Sequence, residues 1–336
     1  MIEATLGRLA AGEDLSQQEM AASIEAVMAG ELNDGQIGIL LTALRAKGET
    51  AAEIAGAASV LRRHMTPIRT RRTGLVDTCG TGGDGSGTFN ISTAAALVVA
   101  AAGVPVAKHG NRGITSKSGS ADALAALGVN INASVAQVEA CLDTLGICFC
   151  FAPLLHASMK RVAEVRKKLG VPTIFNLLGP LSNPASAPFQ VVGVGRAELR
   201  PLLAEALALL GTQRAIVVQG EDGLDEVTLC GPTRVTEVAN GNLRHFTWSA
   251  ADFGLQPAGL EGVRVDGPQA SAAVIRQVLV GTAGPARDIV VINAAAALWT
   301  ASRADTPAAA ALLATAAIDS GAAARLLEQL VELSNR

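Results

Sequence analysis

Apolar positions in the first 65 residues recur with helical spacing, and none of them alternates as a strand would. Ser16 with Glu19 and Thr50 with Glu53 form capping boxes ahead of apolar-periodic runs. Asn33 or Asp34 opens a helix between them, and Gly48 ends it. From Leu75 the pattern changes. Short apolar runs at 75–77, 104–108, 147–151, 189–194 and 215–219 alternate with helix-periodic stretches at 91–102, 120–127, 155–169 and up to 210. Such alternation predicts a mostly parallel sheet. Runs 234–239 and 243–248 flank Asn240-Gly241, which suits a type I′ hairpin turn. Ala-rich helices at 271–281, 287–301 and 307–333 finish the chain. The expected fold class is α/β. A small N-terminal helical domain (1–70, joined by helices from about 155–185) precedes a larger domain (71–336), whose mostly parallel central sheet is flanked by helices.

Composition narrows this further. With 49% hydrophobic and 17% charged residues over 336 positions, the chain is globular and large enough to bury a core without staples. Aromatics are only 3%, with no Tyr, which argues against a base-stacking platform. A net charge of -3 gives no broad field for nucleic acid, so any phosphate affinity must be local. Five cysteines without a CxxC pair point to reduced thiols, not a disulfide framework or zinc site. Cys148 and Cys150 alternate with Phe149 and Phe151 as in a buried strand, whereas Cys79 borders a glycine-rich loop and reads as a small filler. The basic cluster Arg62, Arg63, His64, Arg69, Arg71 and Arg72 reads as a solvated linker. Met1-Ile2-Glu3 opens a helical pattern without a basic leader, and the apolar run 94–107 is short and broken by Gly103 and Pro105. The expectation is a cytoplasmic protein without a membrane partner.

The candidate chemistry lies in two loops. Gly80-Thr81-Gly82-Gly83-Asp84-Gly85-Ser86-Gly87-Thr88 follows the first predicted strand and leads through Asn90, Ser92 and Thr93 into a helix. Glycines allow close backbone approach, and a helix N-terminus favours phosphate. No Gly-Lys-Ser/Thr closes the loop, so it is not a Walker A loop. Lys108-His109-Gly110-Asn111-Arg112 ends the second strand, and Ser116, Ser118 and Ser120 precede the next helix. Lys and Arg are strong phosphate partners. Asp225-Glu226 follows a later strand, where paired carboxylates can hold Mg²⁺. Arg166 with His156 on one predicted helix, and the kinked run Phe175 to Pro184, add further polar groups.

In this order, these blocks resemble the anthranilate phosphoribosyltransferases of tryptophan biosynthesis, members of the nucleoside phosphorylase-like glycosyltransferases. Asn293-Ala294-Ala295-Ala296-Ala297-Leu298 also looks like that family, and the resemblance covers essentially the whole chain. It implies transfer of the phosphoribosyl group of 5-phosphoribosyl 1-diphosphate (PRPP) to the amine of anthranilate, with two Mg²⁺ ions per protomer and a homodimer formed through the helical part. It further implies that Gly80, Gly83, Asp84, Thr88, Asn90, Ile91, Ser92, Thr93, Lys108, His109, Gly110, Asn111, Arg112, Gly113, Ser116 and Ser120 bind PRPP. Gly80, Asn111, His156, Arg166 and Gly179 would border anthranilate, and Ser92, Asp225 and Glu226 would serve Mg²⁺. His109 is the candidate base, with loop-holding the competing role. The chain departs from the family pattern at Gly113-Ile114-Thr115 and at Ala157, neither of which removes a charged group. Two alternatives stand beside this reading. A pyrimidine nucleoside phosphorylase would need a Lys-His-Ser-Thr-Gly-Gly loop, which is absent here; a nucleic-acid-binding relative would need a positive surface.

Overall fold

The computed structural model describes residues 2–113 and 117–336. Four helices open the chain: α1 (Ile2–Ala10), α2 (Gln17–Met28), α3 (Asp34–Lys47) and α4 (Ala51–His64). Helices α2, α3 and α4 each start at a closed capping box, on Ser16/Glu19, Asn33/Gln36 and Thr50/Glu53. Glu53 does more than cap. It is fully buried, accepts from the Leu15 amide at 2.9 Å and pairs with Lys47 at 2.9 Å, so it joins three segments of the bundle. Gly56 lets α4 approach α2, since a Cβ there would stand 2.4 Å from the Gln17 carbonyl.

The rest of the chain builds one seven-stranded sheet. Its strands are β1 (Val76–Gly80), β2 (Val106–Gly110), β3 (Ile147–Phe151), β4 (Phe189–Gly193), β5 (Arg214–Gly220), β6 (Thr233–Ala239) and β7 (Asn242–Trp248). Their order is β3-β2-β1-β4-β5-β6-β7, with β1 to β5 parallel and β6 and β7 antiparallel. The expected hairpin turn is present, with Asn240 and Gly241 both at positive φ (49° and 80°). Chain order reverses between β1 and β4, and at such a switch point the crevice beyond the strand ends is where ligands gather.

Period-two burial on the strands makes two cores. Val191, Ile216 and Val218 face one side, under α5 (Ile91–Ala101), α6 (Ser120–Leu127), α7 (Val135–Leu145) and the C-terminal helices. Helix α5 is apolar all round, as a helix enclosed by the core must be; Leu97, Val98 and Val99 each contribute about 1.5–3 kcal/mol by leaving water. Val192, Val194 and Val217 face the other side. There they join the bundle α1–α4 in one cluster, together with α9 (Lys160–Leu169), α10 (Phe175–Leu178) and α11 (Leu199–Leu209) as the connecting helices, while Leu155 of the short α8 (Ala152–Leu155) packs into the first core. The small bundle therefore completes its core with the sheet and the crossover helices.

Three sequence expectations change. The helix expected over 155–169 is broken at His156, whose φ of -119° and ψ of 52° leave the helical region; α8 ends there, a 3-10 turn (Ala157–Met159) follows, and α9 begins at Lys160. The helix expected over 307–333 is two, α14 (Pro307–Asp319) and α15 (Ala322–Ser334), because Gly321 takes a left-handed conformation (φ 72°). They follow α12 (Pro268–Leu279) and α13 (Pro285–Thr300). The basic cluster is only in part a solvated linker: Arg69 and Arg71 are exposed, but residues 62–64 belong to α4 and several members are tethered. Arg62 donates to the Leu181 carbonyl at 2.7 Å, Arg63 and His64 both pair with Glu25, and Arg72 donates to the Asp143 carbonyl. Carbonyl ends and carboxylates of other helices absorb these charges, a tertiary effect that local composition does not carry.

Among the described residues, no single helix is long and apolar enough to cross a membrane. Cys148 and Cys150 lie buried on β3 as expected. Cys79 stands at the end of β1, where burial first and then Asp77 raise its thiol well above the ordinary value, so it stays protonated.

Candidate active site

A crevice of about 370 Å³ opens beyond the carboxyl ends of β1 and β2, between the sheet and the α9–α10 connection. The first loop forms its floor. Gly82, Gly83, Gly85 and Gly87 all have positive φ, so the loop folds in a way L side chains resist. It delivers the chain to α5, whose N-terminal residue Asn90 makes no side-chain cap. The Asn90 side chain instead brackets two other elements: its amide donates to the Ser118 carbonyl, and its Oδ1 accepts from Ser118 and Ser271 hydroxyls, both at 2.8 Å. The Ser92 amide is not free for a phosphate as it stands, because Glu226 Oε1 accepts it at 3.0 Å.

The second loop forms the wall. Asp122 organises it, accepting from the amides of Gly113 and Gly119 and from Arg112 Nη1 at 2.8 Å. Arg112 also lies over the Phe151 ring, 6.0 Å from its centre. Gly110 has no room for a side chain, since a Cβ would meet Ser120 Oγ at 2.1 Å. Lys108 is buried beneath both loops. Its ammonium donates to the Thr78 carbonyl and to Ser92 Oγ (3.2 Å). Burial pushes its pKa down, against the pull of Asp77, Cys79, Glu226 and Asp225.

Asp225 and Glu226 close the crevice from the β5 side. Desolvation first, then Asp84, raises Asp225 to about 7; desolvation first, then Asp225, raises Glu226 to about 8. Asp84 Oδ2 is buried without a hydrogen-bond partner. Asp84 and Glu226 both neighbour Asp225, and Lys108 is the cation that bears on Asp225 and Glu226. Among the described residues, no three acidic, His or Cys groups converge closely enough to cage a metal alone. An all-oxygen, open donor set is what Mg²⁺ takes when it also binds substrate phosphate and water. Gly193 makes the position of Asp225 possible, for a Cβ on it would lie 1.7 Å from the Asp225 carbonyl oxygen. Gly195 likewise leaves room for the Asp84 backbone, 2.9 Å from where its Cβ would be. Sequence reasoning missed both glycines. The Gly-Val-Gly at the end of the fourth predicted strand was their signal.

The far wall comes from the crossover. Arg166 projects from α9, held by Asn176 Oδ1 at 3.2 Å and lying over the Phe175 ring, 5.7 Å from its centre. Asn176, Phe175 and Pro180 line the crevice and were not singled out for binding, although the kinked run containing them was. His109 Nδ1 faces the Gly179 carbonyl at 2.9 Å and its Nε2 faces His156 Nε2 at 3.2 Å. Beneath it, the buried Asp77 carboxylate accepts from the His109 amide (3.0 Å) and from Asn183 (2.8 Å).

The structure thus brings to one crevice Gly80, Gly83, Asp84, Thr88, Asn90, Ile91, Ser92, Lys108, His109, Gly110, Asn111, Arg112, Gly113, Ser120, Arg166, Gly179, Asp225 and Glu226. Thr93 and His156 are not on its surface: Thr93 is buried in the first turn of α5, and His156 stands behind His109. Ser116 lies outside the described residues.

A helical bundle set against an α/β unit, with a polar, metal-ready crevice at the switch point, defines a two-part glycosyl transferase. Residues 4–65 match the model of the glycosyl transferase family helical bundle domain, and residues 72–324 that of the glycosyl transferase family a/b domain. The anthranilate phosphoribosyltransferase of Moorella thermoacetica is 50% identical over 306 residues, 91% of this chain and 90% of the relative. That of Desulforudis audaxviator is 48% identical over 336 residues, 100% of this chain and 97% of the relative. Among solved structures, the anthranilate phosphoribosyltransferase of Thermus thermophilus matches with a TM-score of 0.93 at 42% identity, over 98% of this chain and 99% of that one. The Saccharomyces cerevisiae enzyme in complex with PRPP and Mg matches with a TM-score of 0.90 at 29% identity, over 99% of this chain and 98% of that one. The chain belongs to the anthranilate phosphoribosyltransferases of that glycosyl transferase family.

Proposed function

We propose that the crevice transfers the 5-phosphoribosyl group of PRPP to the amine of anthranilate, the second step of tryptophan synthesis from chorismate, in the cytoplasm. The observation that carries this reading is the meeting of the two loops, Lys108 and the Asp225–Glu226 pair at one switch point. The N–C1 bond forms, the C1–O bond to pyrophosphate breaks, and the nitrogen gives up one proton. The amine is a neutral nucleophile near pH 7, so alignment and neutralisation of the leaving group matter more than a strong base. Both ring nitrogens of His109 already face other groups, which favours the loop-holding role over that of base.

Each group then has a task. The first loop and the α5 N-terminus cradle the pyrophosphate, while Lys108 places a cation under it. Asn111, Arg112 and Ser120 hold the phosphoribosyl end from the second loop. Asp225, Glu226 and Ser92, with the orphaned Asp84 oxygen, would hold two Mg²⁺ ions. Mg²⁺ when bound offsets the charge gathering on the departing pyrophosphate. Loss of anthranilate fluorescence on adding PRPP and Mg²⁺ tests the reading directly. Phosphorolysis of thymidine with no response to PRPP would overturn it.

Arg166 recognises the anthranilate carboxylate in this scheme, since it is the cation on the crossover wall and is held in place by Asn176 and Phe175. Arg166→Ala should raise the anthranilate KM about tenfold or more and leave the PRPP KM within about twofold. Equal rises in both would make Arg166 a structural prop.

The bundle is also our dimer face, with each protomer carrying a complete crevice and the domain boundary near residue 70. Among the described residues of α1–α4, Ile39 on α3 is a large apolar side chain left exposed (52%). Ile39→Asp should yield a monomer in light scattering that turns over at near-parent rates and melts a few degrees lower. A monomeric parent protein at micromolar concentration would refute the dimer.

A further inference from the structure

Asn90 stands where three segments of the chain meet. The first loop delivers it to the start of α5, Ser118 approaches from the second loop, and Ser271 reaches it from the first turn of α12, 181 positions later. Helix α12 is a firm platform, since its Ala272, Ile275, Val278 and Leu279 are buried in the core. Ser271 is itself fully buried and is not among the residues that line the crevice. Its hydroxyl nevertheless meets Asn90 twice. Ser271 Oγ accepts from the Asn90 backbone amide at 3.0 Å and donates to Asn90 Oδ1 at 2.8 Å.

Proton accounting fixes which way the Asn90 side chain is turned. A side-chain amide offers two N–H donors and an oxygen with two lone pairs. The Ser118 carbonyl, 3.2 Å away, only accepts, so the nitrogen must face it. The oxygen then faces the hydroxyls of Ser118 and Ser271, each at 2.8 Å, and each donates its single proton. Both lone pairs are thereby used. One N–H is taken by the Ser118 carbonyl; among the described residues the other has no partner, and Asn90 lines the crevice. What the side chain has left to offer a ligand is a donor and never an acceptor. The outward atoms of a phosphate or pyrophosphate are acceptor oxygens, which need that polarity.

We propose that Ser271 is a positioning residue for PRPP: from α12, outside both loops, it holds Asn90 with an N–H presented to the phosphate oxygens of the substrate. The assignment rests on the reading that this crevice binds PRPP. Removing the hydroxyl leaves the Asn90 backbone amide without its acceptor and frees one lone pair on Oδ1, so the amide loses half of what holds its oxygen away from the ligand.

The test is a double-mutant cycle between Ser271→Ala and Asn90→Ala. PRPP affinity is measured by titration calorimetry with Mg²⁺ and no anthranilate, with steady-state kinetics beside it. Ser271→Ala should weaken PRPP about tenfold and leave the anthranilate KM within about twofold. Because Ser271 acts through Asn90, adding Ser271→Ala to Asn90→Ala should cost less than about twofold more. Asn90→Asp keeps an acceptor for both hydroxyls but replaces the donor by an anionic oxygen, so it should weaken PRPP more than Asn90→Ala does. Unchanged PRPP affinity in Ser271→Ala, equal rises in both KM values, or a tenfold loss that persists without Asn90 would overturn the assignment. If Ser271→Ala does not fold, Asn90→Asp decides: PRPP binding at least as tight as in Asn90→Ala would show that no donor is needed there. A parent that neither binds nor consumes PRPP would overturn the catalytic reading and Ser271 with it, whereas an active parent with an additive cycle overturns the Ser271 assignment only.

Discussion

Replacing Asp225 by Asn and Glu226 by Gln together should lower turnover by about 10³-fold or more and shift the Mg²⁺ requirement upward. The substitutions keep side-chain volume and remove only charge. In the metal-free protein the two carboxyls are raised to about 7 and about 8, by desolvation before all else. A carboxyl whose folded value is raised contributes stability below its unfolded value, and that contribution is lost as pH rises through the folded value. For Glu226 the window runs from about 4.5 to about 8. The parent without Mg²⁺ should thus lose melting temperature across that window, and the double variant should lose less. Activity and metal-free stability move in opposite directions, as expected of groups placed for function. Kinetics over a Mg²⁺ series and melts in chelator check both halves. Unchanged turnover at every Mg²⁺ level would remove the pair from the metal site.

Lys108→Met should cost about 10²–10³-fold in kcat/KM for PRPP while the anthranilate KM stays within a few-fold. The methionine fills the volume but leaves the Thr78 carbonyl and Ser92 Oγ without the ammonium that joins them. It also takes away the charge set among Asp77, Glu226 and Asp225. An unsatisfied buried acceptor costs about 1–3 kcal/mol, so the variant should melt lower as well. Steady-state kinetics with each substrate varied in turn make the check. A lower melt with intact PRPP kinetics would show that Lys108 serves the fold and not the substrate.

Much of the architecture is written in local patterns. Capping boxes at Ser16 and Thr50 close as their spacing implies, because an N-cap bond joins residues three apart and needs no distant partner. Asn240-Gly241 turns the hairpin for the same local reason. The two glycine-bearing loops were legible from their place after apolar runs, and both line the crevice. His156 was not legible as a helix break: α8 is four residues long, and the ring that His156 meets at the break is that of His109, 47 positions earlier. The basic run 62–72 is largely exposed as expected, but its tethers were not legible for a similar cause, since Glu25, Asp143 and the Leu181 carbonyl come from elsewhere in the chain.

By itself the sequence determined the fold class, the two loops and the residues that carry charge, since these follow from periodicity, turn chemistry and the identity of side chains, while the reaction class came from the resemblance of its motif blocks to a known family. Only the tertiary structure decided what each charge faces. It set Lys108 under both loops and gave the Ser92 amide to Glu226. It also left Asp84 an unpartnered oxygen, packed the Asp225 carbonyl where Gly193 has no side chain, and set a second imidazole, that of His156, behind His109 at the crevice wall. The physical reason is distance. Electrostatic and hydrogen-bond energies depend on separations of a few ångströms between residues far apart in the chain, and those separations exist only once both faces of the sheet are packed.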